Sequence, residues 1–363
     1  MKQKLCSLFL IVVLTTLFTS CDNKTGGSDQ YFDMYDNWVY VLNNGNYASN
    51  DANLAIYIPE AEKSDKVMLN CFKEANGKNL GDLAQDMLVY KERLYIAVYN
   101  SKILFVTDLE GKILGEIVAT ADGKTLSPRQ MTVCNDKLYV TYYEGYLGEV
   151  NISDFSVRTI KVGDNPEGVV AYDGLLYVAN SGGMNYPVYG NTVNVINSYN
   201  LEILSTIEVV ENPADFVVTS KGLFLISLGN YADVPSTLQL IDPQTNIVTK
   251  LMEDTPVTAM CLGANEKLYF ISSVYSAEGS EYSLGVFNTS SLAYEGEFIK
   301  DGTKLVNDPT SISFNQYDGT IFIGTTDYRT TGDMYVFSSY GKLVDSFDTG
   351  GLNPVGVFPY YRF

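Results

Sequence analysis

The chain has no histidine among its 363 residues, one tryptophan (Trp38) and only five arginines. Without histidine, Ser-His-Asp hydrolysis, most zinc sites and histidine-ligated haem are excluded. A single tryptophan leaves little of the tryptophan-rich wall carried by quinone-cofactor dehydrogenases. Lysine and arginine total 24 against 43 acids, a formal net charge of −19. Such a surface repels phosphate backbones and anionic lipid, so nucleic acid is excluded as a partner. Helical periodicity is nearly missing. Beyond the amino terminus no apolar run approaches the length of a membrane helix.

The amino terminus is the exception. Lys2 and Lys4 precede a mostly apolar Phe9–Phe18, and Leu17-Phe18-Thr19-Ser20-Cys21 follows. A positive start, a short apolar core and small residues before a cut describe an export signal over residues 1–20. The ending resembles a bacterial lipoprotein box, which implies that Cys21 becomes the acylated first residue, anchored in a membrane. Residues 21–36 read as that cysteine and a polar, Gly-rich tether. Loss of Lys2 and Lys4 with the leader takes the net charge from −19 to about −21. Cys71, Cys134 and Cys261 remain, an odd number. They read as small core residues rather than a disulfide or a catalytic thiol.

What the chain has in abundance is one repeated hairpin. Pro166–Asn180 opens on a proline, runs through an apolar strand, turns at Asp173-Gly174 and ends a second apolar strand at Asn180. Asp-Gly between apolar runs is a hairpin signal, because both residues tolerate the positive φ of a tight turn. An apolar–aromatic pair marks the second strand and recurs about every 47 residues. The pairs are Val39-Tyr40, Leu94-Tyr95, Leu138-Tyr139, Leu176-Tyr177, Leu223-Phe224, Leu268-Tyr269 and Ile321-Phe322. The opening proline recurs at Pro128, Pro166, Pro213, Pro256, Pro309 and Pro354, after Ser127, Asn165, Asn212, Thr255, Asp308 and Asn353. Proline is tolerated at the first position of a strand, and its ring is expected to hold the preceding residue in extended backbone.

Seven strand-like units of this length predict an all-β, seven-bladed β-propeller with four antiparallel strands per blade. In the fourth unit the strands are expected near Gly168–Ala171, Leu175–Ala179, Thr192–Ile196 and Leu204–Val209. Leu175–Ala179 is apolar at both alternating positions, as in a strand buried on both faces. The first unit, at Trp38–Leu42, lacks a first strand, whereas Pro354–Phe358 is a repeat opening without a continuation. The carboxyl terminus is therefore expected to close blade one. No break resembles a linker, so residues 37–363 form one domain.

In a propeller the second-to-third strand connections share a rim with the crossovers between blades. Here those connections are rich in tyrosine and asparagine. The candidate ligand-binding residues are Asn44, Asn46 and Tyr47 in blade one, Tyr99 and Asn100 in blade two, and Tyr142 and Tyr143 in blade three. Blade four adds Asn180, Met184, Asn185 and Tyr186, with Tyr189 nearby, and blade five adds Asn230 and Tyr231. Blade six contributes Tyr275, beside Ser273, Val274 and Tyr282, and blade seven contributes Tyr328 and Arg329. Tyrosine offers large apolar area with few rotors to freeze, and asparagine both donates and accepts. Together they suit a bulky, neutral ligand rich in amides or hydroxyls. Each loop alone reads as ordinary turn chemistry with a rim tyrosine; the set of seven on one rim favours binding. Asp86, Arg129, Glu167 and Asp215 lie near the crossovers and are expected to ring the central channel. They read as solvated charge or as oxygen ligands for calcium, although no metal motif repeats and no catalytic residues are assigned.

The repeat, with Pro166-Glu-Gly-Val169, Pro354-Val-Gly-Val357 and Leu176–Asn180, resembles the YncE-like or YVTN seven-bladed propellers. The opening Val39–Asn46 (Val-Tyr-Val-Leu-Asn-Asn-Gly-Asn), followed by Asn53–Tyr57, looks like that of surface-exposed vitamin B12-binding lipoproteins of the BtuG type. That resemblance implies a non-enzymatic, lipid-anchored outer-membrane protein. It implies capture of cobalamin or a related corrinoid as transported ligand, without a cofactor, and its passage to an outer-membrane TonB-dependent corrinoid transporter. Lacking histidine, the chain would grip the vitamin by its periphery and leave the cobalt's lower base in place. The alternatives are a propeller binding another small ligand or a protein partner, and a calcium-dependent, lactonase-like hydrolase.

Overall fold

Asp173 and Gly174 both take positive φ, 47° and 76°, and between them Pro166–Tyr172 turns directly into Leu175–Asn180, with Tyr172 opposite Leu175. The next strands are Thr192–Asn197 and Ile203–Glu208, so blade four matches its sequence reading within two residues at each end. The computed structural model describes residues 34–253, 255–276 and 279–362, apart from the side chains of residues 275, 276 and 279. The leader, Cys21 and the tether up to residue 33 lie outside the described residues.

Seven four-stranded antiparallel sheets follow one another around a ring, each in simple up-and-down order except the first. There Pro354–Tyr361 supplies the innermost strand, pairing with Asn37–Asn43 from Asn37↔Tyr361 to Asn43↔Pro354. The first and last strands therefore share one sheet and no innermost edge is left open. Departures from pure β structure are small. One helical turn, Cys71–Asn76, is inserted between blades one and two, and a two-stranded ribbon pairs Thr120–Ala121 with Lys124–Thr125. No helix among the described residues is long and apolar enough to cross a membrane.

Second strands such as Leu175–Asn180 and Gly222–Ser227 are buried almost throughout, whereas the outermost strands, such as Ile203–Glu208, alternate with exposed positions. The apolar–aromatic mark explains how blades are joined. Tyr40, Tyr139 and Tyr269 are each at most 2% exposed. Their hydroxyls donate to the carbonyls of Leu109, Ser198 and Ser339, at 2.6, 2.7 and 3.3 Å, in the following blade. Each ring thus fills the sandwich between two sheets while its tip satisfies a buried carbonyl across it.

The crossovers overturn one expectation. Asn165, Asn212 and Asn353 precede prolines yet hold φ of 45°, 60° and 57°, in left-handed rather than extended backbone. Asparagine tolerates this region better than other side chains. The kink aims each carbonyl at the amide that follows the neighbouring second strand: Ser181 N–H donates to Asn165, Leu228 to Asn212 and Asn44 to Asn353. Cys71, Cys134 and Cys261 are free thiols, Cys71 buried and the other two half-buried, as a core role requires.

Candidate functional site

Every innermost strand opens with the same irregularity. Within its first four residues the register against the second strand slips by one, as at Pro128/Met131, Pro166/Val169 and Pro213/Asp215. The other four blades repeat it at their openings. A bulge re-aims side chains. The third residue beyond each opening points into the core: Met87, Met131, Val169, Phe216, Met260, Ile312 and Val357 are 1–7% exposed. The two residues ahead of it face the mouth of the central channel. This is how Arg129, Glu167 and Asp215 come to line a funnel of about 470 Å³, together with Tyr143, Tyr189 and Tyr231.

The charges in the funnel are arranged, not merely solvated. Arg129 donates from Nε and Nη2 to Oε2 of Glu167 at 2.7 and 2.5 Å, and from Nη1 to Oε1 of Gln85 at 2.7 Å. Its guanidinium lies 5.2 Å from the ring centre of Tyr99 and 4.9 Å from that of Tyr143, which meet edge to face at 5.5 Å. Asp86 accepts the amide hydrogens of Met87 and Met131, both at 2.8 Å, and so ties blade two to blade three. Burial raises its carboxyl to about 7, against the lowering effect of those two amides. Asp215 is raised to about 6, again by burial, with the Glu167 charge adding to it. Burial also raises Glu167, opposed by Arg129. Among the described residues no group of three or more Cys, Asp or Glu side chains is placed to hold a metal ion.

Above the funnel an aromatic arc runs over blades two to five. Tyr231 meets Tyr189 edge to face at 5.9 Å, and Tyr189 meets Tyr186 at 6.3 Å. Tyr186 and Tyr231 are 75% and 71% exposed, with Met184 exposed beside them. A second recess of about 430 Å³, lined by Leu228, Tyr231, Pro235 and Val274, adjoins the funnel behind Tyr231. Burial pushes the Tyr143 phenol up to about 12, with Glu167 adding to the effect, and burial raises those of Tyr99 and Tyr231. At neutral pH these three phenols are therefore uncharged, with tips that donate and accept.

The structure places the predicted residues in different surroundings. Tyr99, Tyr143, Met184, Tyr186 and Tyr231 share the arc. Tyr47, Tyr328 and Arg329 are exposed on the loops of blades one and seven. Two expectations are corrected outright. Tyr142 is 1% exposed and packs among Ala97, Leu104 and Tyr146, because it is the last residue of a second strand buried on both faces, whereas Tyr143 opens the turn that follows. Asn180 is 2% exposed; its amide accepts from Gly163 N–H and donates to Thr192 and Asn194, locking the loop base.

The remaining asparagines are engaged in the loops. Asn44 donates to the Ala84 carbonyl, Asn100 to Asp82 at 2.6 Å, and Asn185 to Asp164. Asn46 accepts from Asn353, and Asn230 accepts the amides of Ala232 and Val234. Blade six departs in shape: Lys267–Ser276 and Gly279–Asn288 form a ten-residue hairpin that pairs Ser273 with Tyr282 and Tyr275 with Ser280. What the sequence suggested as a loop is a strand pair, reaching about 13 Å beyond the five- or six-residue strands of other blades at strand rise. The side chain of Tyr275 is outside the described set. Tyr189, Leu228 and Ser311 were not singled out as site residues. The signal that finds Ser311 is its place two residues after Pro309, matching Asp215 after Pro213.

Searches against known proteins agree on the fold. The chain is similar to a hydrazine synthase chain from Kuenenia stuttgartiensis at 16% identity, over 73% of this chain and 85% of that one, with a TM-score of 0.60. It is similar to the Pan2 WD40 domain of Neurospora crassa at 11% identity, over 72% and 78%, with a TM-score of 0.54. A dihydro-heme d1 dehydrogenase, NirN, solved in complex with DHE, aligns at 12% identity over 87% and 68%, with a TM-score of 0.57. At these identities the likeness establishes the propeller alone. No curated protein sequence matches. A family model matches residues 37–260, more than half of the chain, and the protein belongs to the family described as domain of unknown function (DUF5074).

Proposed function

We propose that this propeller is a cell-surface lipoprotein that captures cobalamin or a related corrinoid and passes it to an outer-membrane TonB-dependent transporter. The observation that supports this reading is the tyrosine arc over blades two to five, set around a funnel whose one cation, Arg129, is neutralised by Glu167. Cobalamin is large, nearly neutral and fringed with carboxamides. Rigid aromatic faces with polar tips suit such a periphery. The sequence resemblance at Val39–Asn46 and the lipoprotein-like Cys21 add membrane anchoring and the transporter as partner. No enzymatic step is assigned to the funnel.

The test is direct. Residues 22–363 are mixed with cyanocobalamin and passed over a sizing column, and the corrin absorbance is followed. Co-elution with a visible spectrum close to that of the free base-on vitamin is the expected result, since no histidine exists to replace the lower base. Failure to co-elute removes the corrinoid reading, and a base-displaced spectrum removes the peripheral contact mode.

A further inference from the structure

The recess behind Tyr231 differs in chemistry from the funnel it adjoins. Arg129, Glu167 and Asp215 line the funnel, whereas among the described residues no charged side chain lines the recess of about 430 Å³. Tyr231, Leu228 and Thr258 line both, so the two are continuous across one aromatic ring. The other walls come from three places: the blade-five loop at Val234 and Pro235, the crossover at Pro256, and the long hairpin of blade six at Val274. Two hydroxyls in the recess are already spent on the backbone, Ser236 donating to the Val257 carbonyl and Thr258 to that of Ile271 at 3.3 Å. The walls are also held in place. Asn230 accepts the amides of Ala232 and Val234 at 3.0 and 2.9 Å and donates to Asp233, which keeps that carboxylate on the loop. Ser273 N–H donates to Pro256 O and ties the hairpin to the crossover.

A polar recess and an apolar one sharing a wall suit a ligand with two unlike parts. A charged or strongly hydrogen-bonding group entering the recess gives up its hydration with little in return. A flat, uncharged ring instead buries its face and edge against Tyr231, Val234, Pro235 and Val274. Tyr231 is 71% and Val274 50% exposed, so both have apolar area left to cover. We propose that the recess is an apolar subsite for the flat, uncharged lower base of the corrinoid, with the amide-fringed corrin over the arc and the funnel. The base keeps its bond to cobalt, and only its outer edge enters. This deepens the corrinoid reading and rests on it.

The test measures dissociation constants at pH 7.5 for cyanocobalamin, for its analogue with adenine as lower base, and for dicyanocobinamide, which has no such base. The proteins are residues 22–363 unaltered and with Val274→Asn, whose folding is checked by its melting temperature. The unaltered protein is expected to bind the vitamin, with its dimethylbenzimidazole, about fivefold or more tighter than the polar adenine analogue. Val274→Asn is expected to weaken the vitamin about fivefold and dicyanocobinamide by less than about twofold. The comparison of the two bases needs no variant, and so decides the matter should Val274→Asn fold poorly. Equal binding of vitamin and adenine analogue by the unaltered protein overturns this proposal alone. So does a folded Val274→Asn that leaves the vitamin unaffected or weakens vitamin and cobinamide alike. Absence of binding by every corrinoid overturns it together with the reading on which it rests.

Discussion

Arg129 places two of its N–H groups on a single oxygen of Glu167, at 2.7 and 2.5 Å, and this pair spans two neighbouring blades. The consequence is a guanidinium held over the rings of Tyr99 and Tyr143, which it orients through cation–π contact. Removing one member of a largely buried pair strands the other charge. Arg129→Ala is therefore expected to lower stability by about 2–4 kcal/mol and corrinoid affinity by about tenfold or more. Arg129→Lys keeps the charge but loses the planar fork, so affinity falls more than stability does. Calorimetric melting alongside titration with cyanocobalamin separates the two effects. Full affinity in Arg129→Ala would remove its role in setting the arc.

The arc and the blade-seven loop make unequal claims on a ligand. Tyr231 touches Tyr189 and lines both the funnel and the adjoining recess, whereas Tyr328 stands exposed on another loop. Tyr231→Ala is expected to weaken corrinoid binding by about 2 kcal/mol, and Tyr328→Ala by less than about 0.5 kcal/mol. A reversed order, measured by titration calorimetry, would move the site away from blades two to five.

Ring closure depends on Asn353. Its left-handed φ of 57° lets its carbonyl accept from Asn44 N–H, while its side-chain amide donates to Gly45 O and Asn46 Oδ1 at 2.9 and 3.1 Å. Asn353→Gly keeps the backbone and loses the side-chain bonds; Asn353→Ala loses the bonds and adds left-handed strain. Denaturant unfolding is expected to place alanine about 1 kcal/mol below glycine. Equal stability of the two would mean that the strain is relieved elsewhere.

Asp86 and Asp215 make stability depend on pH in a stated direction. Both folded carboxyls hold protons more tightly than the ordinary aspartate value of 3.8, to about 7 and about 6. Facing them are Glu167, the Arg129 guanidinium and the backbone amides of Met87, Met131 and Phe216, with the Cys261 thiol near Asp215. A raised carboxyl contributes stability that is complete below the unfolded value and lost as pH rises through the folded one. Their share of stability therefore declines from about pH 4 to about pH 7, and Asp215→Asn removes the part lost between about pH 4 and pH 6. Carbon-13 titration of the carboxyl carbons checks both values. Midpoints near 4 would contradict the burial argument.

Deleting residues 354–363 takes the innermost strand from blade one and bares the ladder edge of Asn37–Asn43, whose Val39, Tyr40, Val41 and Leu42 are at most 1% exposed. The truncated chain is expected to aggregate on expression or to melt without cooperativity. A soluble, cooperatively folding product would show that six complete blades close without that strand.

The architecture was open to reading because each repeat states it again. The hairpin at Asp173-Gly174, the aromatic mark and the orphan halves at the two ends all depend on neighbours close in sequence or on a period. The rim was less open. Composition singled out tyrosine and asparagine together, yet the asparagines are engaged in loop hydrogen bonds, and it is mostly the tyrosines that face outward. Tyr142 and Tyr143 are adjacent and chemically alike, and the point at which the second strand ends decided which is core and which is surface. The extended hairpin of blade six carries the same residue types as a loop, and only its pairing distinguishes the two.

The sequence by itself determined a wheel of seven sheets closed by its own last strand, because hydrophobic period, turn chemistry and strand count are local properties repeated along the chain. Their place after each repeat opening already put Asp86, Arg129, Glu167 and Asp215 near the channel, whereas tertiary structure alone decided how they are engaged: Arg129 on Glu167 and Gln85, over Tyr99 and Tyr143, and Asp86 on the Met131 amide. The physical reason is the bulge behind each opening residue: a one-residue slip in register swings two side chains toward the axis. Which chemistry gathers there depends on the radial order of the blades, and no short stretch of the chain contains it.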